Sequence, residues 1–263
     1  MPDQKTVYLS DDGTDVVFFK FIAERAGDLS SGTMYAAKVT QDEGDDSSIV
    51  GFDLAWIELG SSTNADLEAA IDEYDGIDET HYIVDGNSYI TDQQINDWAE
   101  SKLNQDLDDS GSVATSPFAD DRVAFLETLK ASEALGATVE FNKMEGININ
   151  YEGAKNGDIP FMYVGLTDIA GAMTDNSGDI QVSENRCGIM YQLPLEADFN
   201  VSRMEPVVAG GPYNSSATGS TCSDDNVSAP DNVLVLDDGR VLMGEDTGRH
   251  VNNMLWIYNP KGE

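Results

Sequence analysis

From Pro230 to Tyr258 the chain alternates short apolar runs with acidic, glycine-bearing turns. Val233-Leu234-Val235-Leu236 and Val241-Leu242-Met243 flank Asp237-Asp238-Gly239-Arg240. A last run, Met254-Leu255-Trp256-Ile257-Tyr258, follows Gly244-Glu245-Asp246-Thr247-Gly248. Branched apolar runs on either side of an Asp-Gly pair predict a β-hairpin. The runs are continuous rather than alternating, which predicts strands covered on both faces. The N-terminal region repeats the pattern. Strands are predicted at Thr6-Val7-Tyr8-Leu9, from Val16 to Ile22, from Gly32 to Val39, and within 49–59 around Trp56 and Ile57. They return after Gly136, from Thr138 to Phe141, from Phe161 to Thr167 and from Gly188 to Leu193.

Residues 62–136 break this rhythm. Asn64 to Tyr74 has helical periodicity behind an Asn cap. Thr91-Asp92-Gln93-Gln94 has the form of a capping box opening a helix through Leu103. Val123, Leu126 and Leu129 form one stripe of a helix from Arg122 to Leu135, with Gly136 as its stop. The acidic, Ser- and Gly-rich stretch 104–120 between them reads as a mobile loop. His81, beside Tyr82, reads as a packing residue. The whole is expected to be one mainly β domain of about four propeller-like sheets, with 62–136 as a helical insertion. Two long polar loops remain, 168–186 and 210–229, of a length that is usually functional or ordered by something bound.

Charge narrows the range of partners. The chain of 263 residues carries 14 basic and 49 acidic side chains, a net charge of -35. Phosphate backbones are repelled by such a surface, so nucleic acid is excluded as a partner. Anionic membranes are disfavoured for the same reason, and no apolar run approaches a membrane span. The acids are spread along the whole sequence, which suits a halophilic or marine protein kept soluble in high salt. No signal peptide precedes Pro2, so the start is read either as that of a cytoplasmic protein or as a point inside a longer chain. Cys187 and Cys222 both sit in polar, Gly/Ser/Asn-rich surroundings. They can be a disulfide in an oxidising compartment or two reduced thiols; a bridge requires Cα atoms within about 7 Å.

The candidate chemistry lies at strand ends. Asp231 precedes one predicted strand, and Glu245 and Asp246 follow another. Acids in such places are ordinarily turn formers, but gathered at one rim they make an oxygen-ligand metal site. The chain has no Ser/His/Asp pattern, no Gly-rich phosphate loop and no zinc spacing. Metal–carboxylate chemistry is therefore the enzyme class the residues support.

Three segments carry a resemblance. "DDGTDVVFFKFIAER…GTMYAAKV", "DDRVAFLETLKASEALGAT…FNKMEG" and "PDNVLVLDDGRVLMGEDTGRHVNNMLWIYNP" resemble, in that order, the PhoX-type alkaline phosphatases. The resemblance covers nearly the whole chain apart from parts of 60–115, and places it as the C-terminal part of such a protein. It implies a partial six-bladed β-propeller decorated with helices, secretion to the periplasm or beyond, phosphomonoester hydrolysis, and a central cluster of Ca²⁺ and Fe³⁺. On that resemblance, Lys143 stands where the family has a phosphate-contacting Arg, and Glu145 two residues on stands as a metal ligand. Lysine keeps the charge and loses the bidentate fork. Asp231 matches a metal ligand by its Pro-Asp-Asn setting, and Glu245 matches a rim carboxylate. The family's earlier Cys and Glu ligands and its His-Glu-Gly segment have no counterpart here.

Two classes of function follow. One is a calcium- and iron-dependent phosphomonoesterase. The other is a non-catalytic, calcium-stabilised propeller segment, completed by a further chain segment or subunit, or serving as an interaction module. In both, Glu145, Asp231 and Glu245 are expected to converge on one rim around a cation, with Lys143 turned toward the same spot.

The charge itself generates a first prediction. With a net charge of -35, self-repulsion opposes the compact state. In thermal melts with divalent ions chelated, the melting temperature rises as monovalent salt goes from low to molar concentration. A midpoint indifferent to salt contradicts this.

Overall fold

The computed structural model describes residues 1–74 and 90–262. His81 and Tyr82 lie outside the described residues. The chain runs β1 (Thr6–Leu9), β2 (Phe19–Arg25), β3 (Asp28–Gln41), β4 (Phe52–Thr63), α1 (Asn64–Tyr74), α2 (Asp92–Leu103), α3 (Val123–Leu126), α4 (Thr128–Ala134), β5 (Met144–Ile149), α5 (Tyr151–Asn156), β6 (Phe161–Leu166), β7 (Ile189–Pro194), β8 (Arg203–Ala209), β9 (Pro230–Val235), β10 (Val241–Glu245) and β11 (Leu255–Tyr258).

The strands form an eight-stranded antiparallel sheet, ordered β1-β2-β3-β4-β8-β7-β6-β5, and a three-stranded sheet, β11-β10-β9. The larger sheet is nearly divided. Its halves join only where Phe52 pairs with Met204 and Asp53 with Arg203. Among the described residues the strands thus make three blade-like groups, where strand spacing predicts about four. The segment Thr138 to Phe141 forms no strand of its own, and only Phe141 bridges to Val16. An unexpected strand, β8, completes the second blade instead.

Apolar side chains set the order of these layers. Tyr8, Phe18, Phe52, Phe141, Met144, Leu166 and Tyr191 form the core between the two halves of the large sheet. Ile159, Tyr163, Met190, Val235, Val241 and Met243 glue the second blade to β9–β11. Val17, Ala36, Leu59, Ile95, Trp98, Val123 and Ala131 bury the helices against β2–β4.

Local signals explain most element ends. The capping box at Thr91 is present in both directions, with Thr91 and Gln94 each accepting the other's backbone N–H. Helix α1 is capped by Thr63 rather than Asn64, its hydroxyl accepting from Asp66 N at 3.1 Å. The expected helix from Arg122 to Leu135 is broken at Glu127, where φ -128 and ψ 48 leave the helical region. Gly136, at φ +82, provides the stop. The stretch 104–120, expected to be mobile, is tied to buried Glu100, which accepts from Leu107 N, Asp108 N and Ala114 N.

The feature that places the site is a close crossing. Strand β9 begins against the ends of β5, β6 and β7. A Cβ on Gly146 would lie 1.7 Å from the carbonyl oxygen of Asp231, and one on Gly165 would lie 2.1 Å from that of Pro230. On Gly188 it would meet Leu166 O at 2.6 Å and Pro230 Cδ at 2.8 Å. Only glycine permits these approaches. Cys187 and Cys222 form a disulfide with Cα atoms 5.9 Å apart, which ties the start of β7 to the 210–229 loop.

Candidate functional site

Glu145 lies second in β5, next to Gly146, and so stands at the crossing beside Asp231. Thr167, just past β6, donates its hydroxyl to Glu145 Oε1 at 2.8 Å. The Ser10 hydroxyl donates to the Glu145 carbonyl at 3.1 Å. Asp12 and Asp231 are the acidic neighbours that act on the Glu145 carboxyl. Burial first, then these two neighbours, push Glu145 up to about 7, while the Thr167 hydroxyl opposes them. Asp12 moves the other way. Its hydrogen bond with Lys143 holds it below the ordinary carboxylate range. The two shifts run in opposite directions because burial and acidic neighbours act on Glu145, whereas Lys143 stabilises the charge on Asp12.

Lys143 joins the cluster through Asp12. Its Nζ donates to Asp12 Oδ1 at 2.8 Å and to the Asp12 carbonyl at 3.0 Å. It precedes β5 rather than sitting in it, and its φ is +53. The expected sharing of a strand face with Glu145 therefore does not describe its position. A left-handed backbone is costly for lysine and persists where surrounding bonds fix it. Here Lys143 N donates to Gly13 O at 2.8 Å and its carbonyl accepts from Thr167 N at 2.9 Å.

Glu245 is placed differently from the expectation. Its side chain is fully buried. Oε1 accepts from Ser228 N at 2.8 Å and Trp256 Nε1 at 2.7 Å. Oε2 faces His250 Nδ1 at 2.9 Å and accepts from Met254 N at 2.9 Å. A carboxylate has about four acceptor positions, and all are used. Glu245 organises the loop between β10 and β11 and has no oxygen to offer a rim cation.

The structure adds residues that strand-end reasoning missed. Asp12 belongs to a turn that looks like many others in sequence. Asp168 follows Thr167; its Oδ2 receives Arg249 Nη2 at 2.8 Å and Arg186 Nη2 at 3.1 Å. Burial raises Asp168 while the two arginines oppose the shift. Its Oδ1 is buried without a hydrogen-bond partner. Elsewhere, Glu100, Asp106 and Asp108 bring carboxylate oxygens within 4.8 Å of one another. Those acids are engaged by the loop's own N–H groups, including Ser110 N and Gly111 N on Asp106.

Among the described residues, the acids whose carboxylate oxygens all lie within 4.8 Å of one another are Glu100, Asp106 and Asp108; Asp12 and Asp231 instead neighbour Glu145, with Lys143 as the cation on Asp12. The donor set is all oxygen, since both cysteines are in the disulfide. An unpaired buried carboxylate oxygen lies one residue from the Glu145 contact at Thr167. This arrangement fits a hard, oxygen-preferring cation such as Ca²⁺.

A mainly β protein of stacked antiparallel blades, with a carboxylate cluster at the crossing of two of them, is the class that fold and site define. The family model for alkaline phosphatase PhoX matches residues 1–263, and the chain belongs to that family. The match includes 60–115 and runs the whole length, so it is not confined to a C-terminal part. A solved structure of Pseudomonas fluorescens PhoX in complex with vanadate, a transition state analogue, is similar in fold, with a TM-score of 0.59 and 17% identity. It aligns with 97% of this chain, which spans 40% of the length of that protein. The fold is accordingly mainly β and propeller-like. No curated protein sequence matches the chain.

The raised Glu145 generates a pH prediction. Between the ordinary value of 4.5 and about 7 the folded protein holds a proton that the unfolded chain has released. Stability of the chelator-treated protein therefore falls as pH rises through that window. Glu145→Gln removes most of this loss. Urea melts from pH 5 to 8 measure it; parallel pH profiles for the two proteins contradict it.

Proposed function

We propose that this chain carries metal-dependent phosphomonoesterase chemistry at the Glu145 cluster. The observation that supports the reading best is the close crossing of Gly146 and Asp231, which sets Asp231 beside Glu145, together with the Lys143–Asp12 pair on the other flank of Glu145. Glu145 and Asp231 are the proposed ligands of Ca²⁺, with Asp12 and the free oxygen of Asp168 beside them. Fe³⁺, which also takes carboxylate oxygens, is the second candidate. A cation there supplies charge neutralisation for a phosphoryl group and polarisation of its oxygens.

The chain's own groups act around it. Lys143 places a positive charge where a phosphate oxygen arrives. Thr167 and Ser10 hold Glu145 in orientation through its side chain and carbonyl. Small phosphomonoesters are the proposed substrates. The disulfide suits an oxidising compartment, which supports a secreted or periplasmic setting. The high surface charge suits a saline one.

A second reading has an observation of its own. The chain spans 40% of the length of the similar PhoX structure. On that reading the cluster binds calcium for stability, and a further segment or subunit is needed for turnover.

Both readings meet one experiment. Purified protein is assayed with a chromogenic phosphomonoester in calcium and iron, beside Glu145→Gln and Lys143→Ala. On the phosphatase reading, wild-type protein turns over and Glu145→Gln loses both bound calcium and activity. Lys143→Ala keeps the calcium and loses about tenfold or more in kcat/KM. Calcium binding without turnover in the wild type favours the segment reading.

A further inference from the structure

Among the described ion pairs, Asp168 is the carboxylate that two cations share. The arrangement is uneven. The Asp168 side chain is 11% exposed, whereas those of Arg186 and Arg249 are 34% and 24% exposed. A buried acid thus holds two guanidinium groups that reach solvent. One negative charge faces two positive ones. Glu184, 3.8 Å from Arg186 Nη1 with its side chain 58% exposed, offsets little of the remainder. In a chain with net charge -35 this local excess of cation stands out.

Its position ties it to the Glu145 cluster. Thr167, which bonds Glu145, immediately precedes Asp168. Asn142, next to Lys143, donates Nδ2 to the Asp168 carbonyl at 3.0 Å. Lys143 itself feels the Asp168 charge. The Asp168 backbone is thus tied to the segment that carries Lys143, and its neighbour Thr167 contacts Glu145.

Three separate devices hold the two arginines together. Arg186 directly precedes Cys187, and the disulfide runs from there to Cys222. Cys222 N and Thr221 N donate to the carbonyl of Arg249, at 3.1 and 2.7 Å. The buried Glu245–His250 contact fixes the loop on the other side of Arg249. Such fixing is unnecessary for a solvated surface charge. It suits a group whose direction matters.

We infer that Arg186 and Arg249, oriented by Asp168, bind the substrate's phosphate oxygens as a forked anchor beside Lys143. The inference rests on the phosphomonoesterase reading. Lys143 is a point charge, and a guanidinium supplies the paired N–H geometry that a phosphate matches. Arg249 commits Nη2 to Asp168, which leaves its other N–H groups for a ligand. Asp168 is the positioning residue. It fixes both forks without touching the phosphate.

The test is isothermal titration of the full chain, loaded with calcium, with inorganic phosphate. Wild type is compared with Arg249→Lys, Arg186→Lys and Asp168→Asn, and bound calcium and the melting temperature are measured in each. The lysine variants keep the charge and remove only the fork. Arg249→Lys weakens phosphate binding by about tenfold or more with calcium content unchanged. Arg186→Lys weakens it less, because the Arg186 side chain is the more exposed of the two. Asp168→Asn weakens it in protein that still melts cooperatively. Should one lysine variant fail to fold, the other reads the same anchor. Phosphate affinity within about twofold of wild type in folded, calcium-loaded lysine variants overturns the inference and leaves the phosphatase reading standing. A wild-type protein that takes up calcium but no phosphate overturns both.

Discussion

The structure depends on how closely β9 can approach the ends of β5, β6 and β7. Gly146, Gly165 and Gly188 leave room for the backbone at Pro230 and Asp231, and any Cβ there would overlap a carbonyl oxygen or the proline ring. A crossing of this kind is a packing constraint before it is a functional one. It lets the three-stranded sheet seat Val235, Val241 and Met243 against Tyr163 and Met190. It also brings the Asp231 and Glu145 carboxylates together, although 85 residues separate them in the chain. Burial and acidic neighbours raise Glu145, while Lys143 holds Asp12 below the ordinary carboxylate range. The proposed cation would offset the charge of these acidic neighbours.

The remaining polar network is organised around that centre. Glu245 uses both oxygens to hold Ser228, His250, Met254 and Trp256. Losing one partner of such a buried carboxylate leaves charge or donors unsatisfied. The loop it fixes carries Arg249, and the disulfide fixes the segment that carries Arg186. Residues well away from the carboxylates therefore fix the segments that carry the two arginines.

Much of this was legible in sequence, for identifiable reasons. The closing hairpin was announced by its branched runs and by Asp-Gly; Val235 pairs with Val241 and Gly239 takes φ +88. Thr91 and Gln94 announced a helix start because a capping box is a local interaction. Strand β8 was missed because Pro206 interrupts it and only a short apolar run follows. Asp231 stands out as a strand-end acid and Glu145 through a family resemblance, and nothing local says that they meet. Asp12 carries no pattern, and the length of the polar loop 168–186 marks the segment of Asp168 and Arg186 without saying which of its residues meet. Glu245 was misjudged because a buried, fully bonded carboxylate and a metal ligand look alike at a strand end. Only the count of its donors tells them apart.

The central claim is that the Glu145 cluster holds a cation. An anomalous difference map from crystals grown with Tb³⁺, a scattering substitute for calcium, tests it most directly. The account predicts a peak bounded by the Glu145, Asp12 and Asp231 carboxylates, with Lys143 displaced from Asp12. An empty cluster, with the peak instead at Glu100, Asp106 and Asp108, would contradict it.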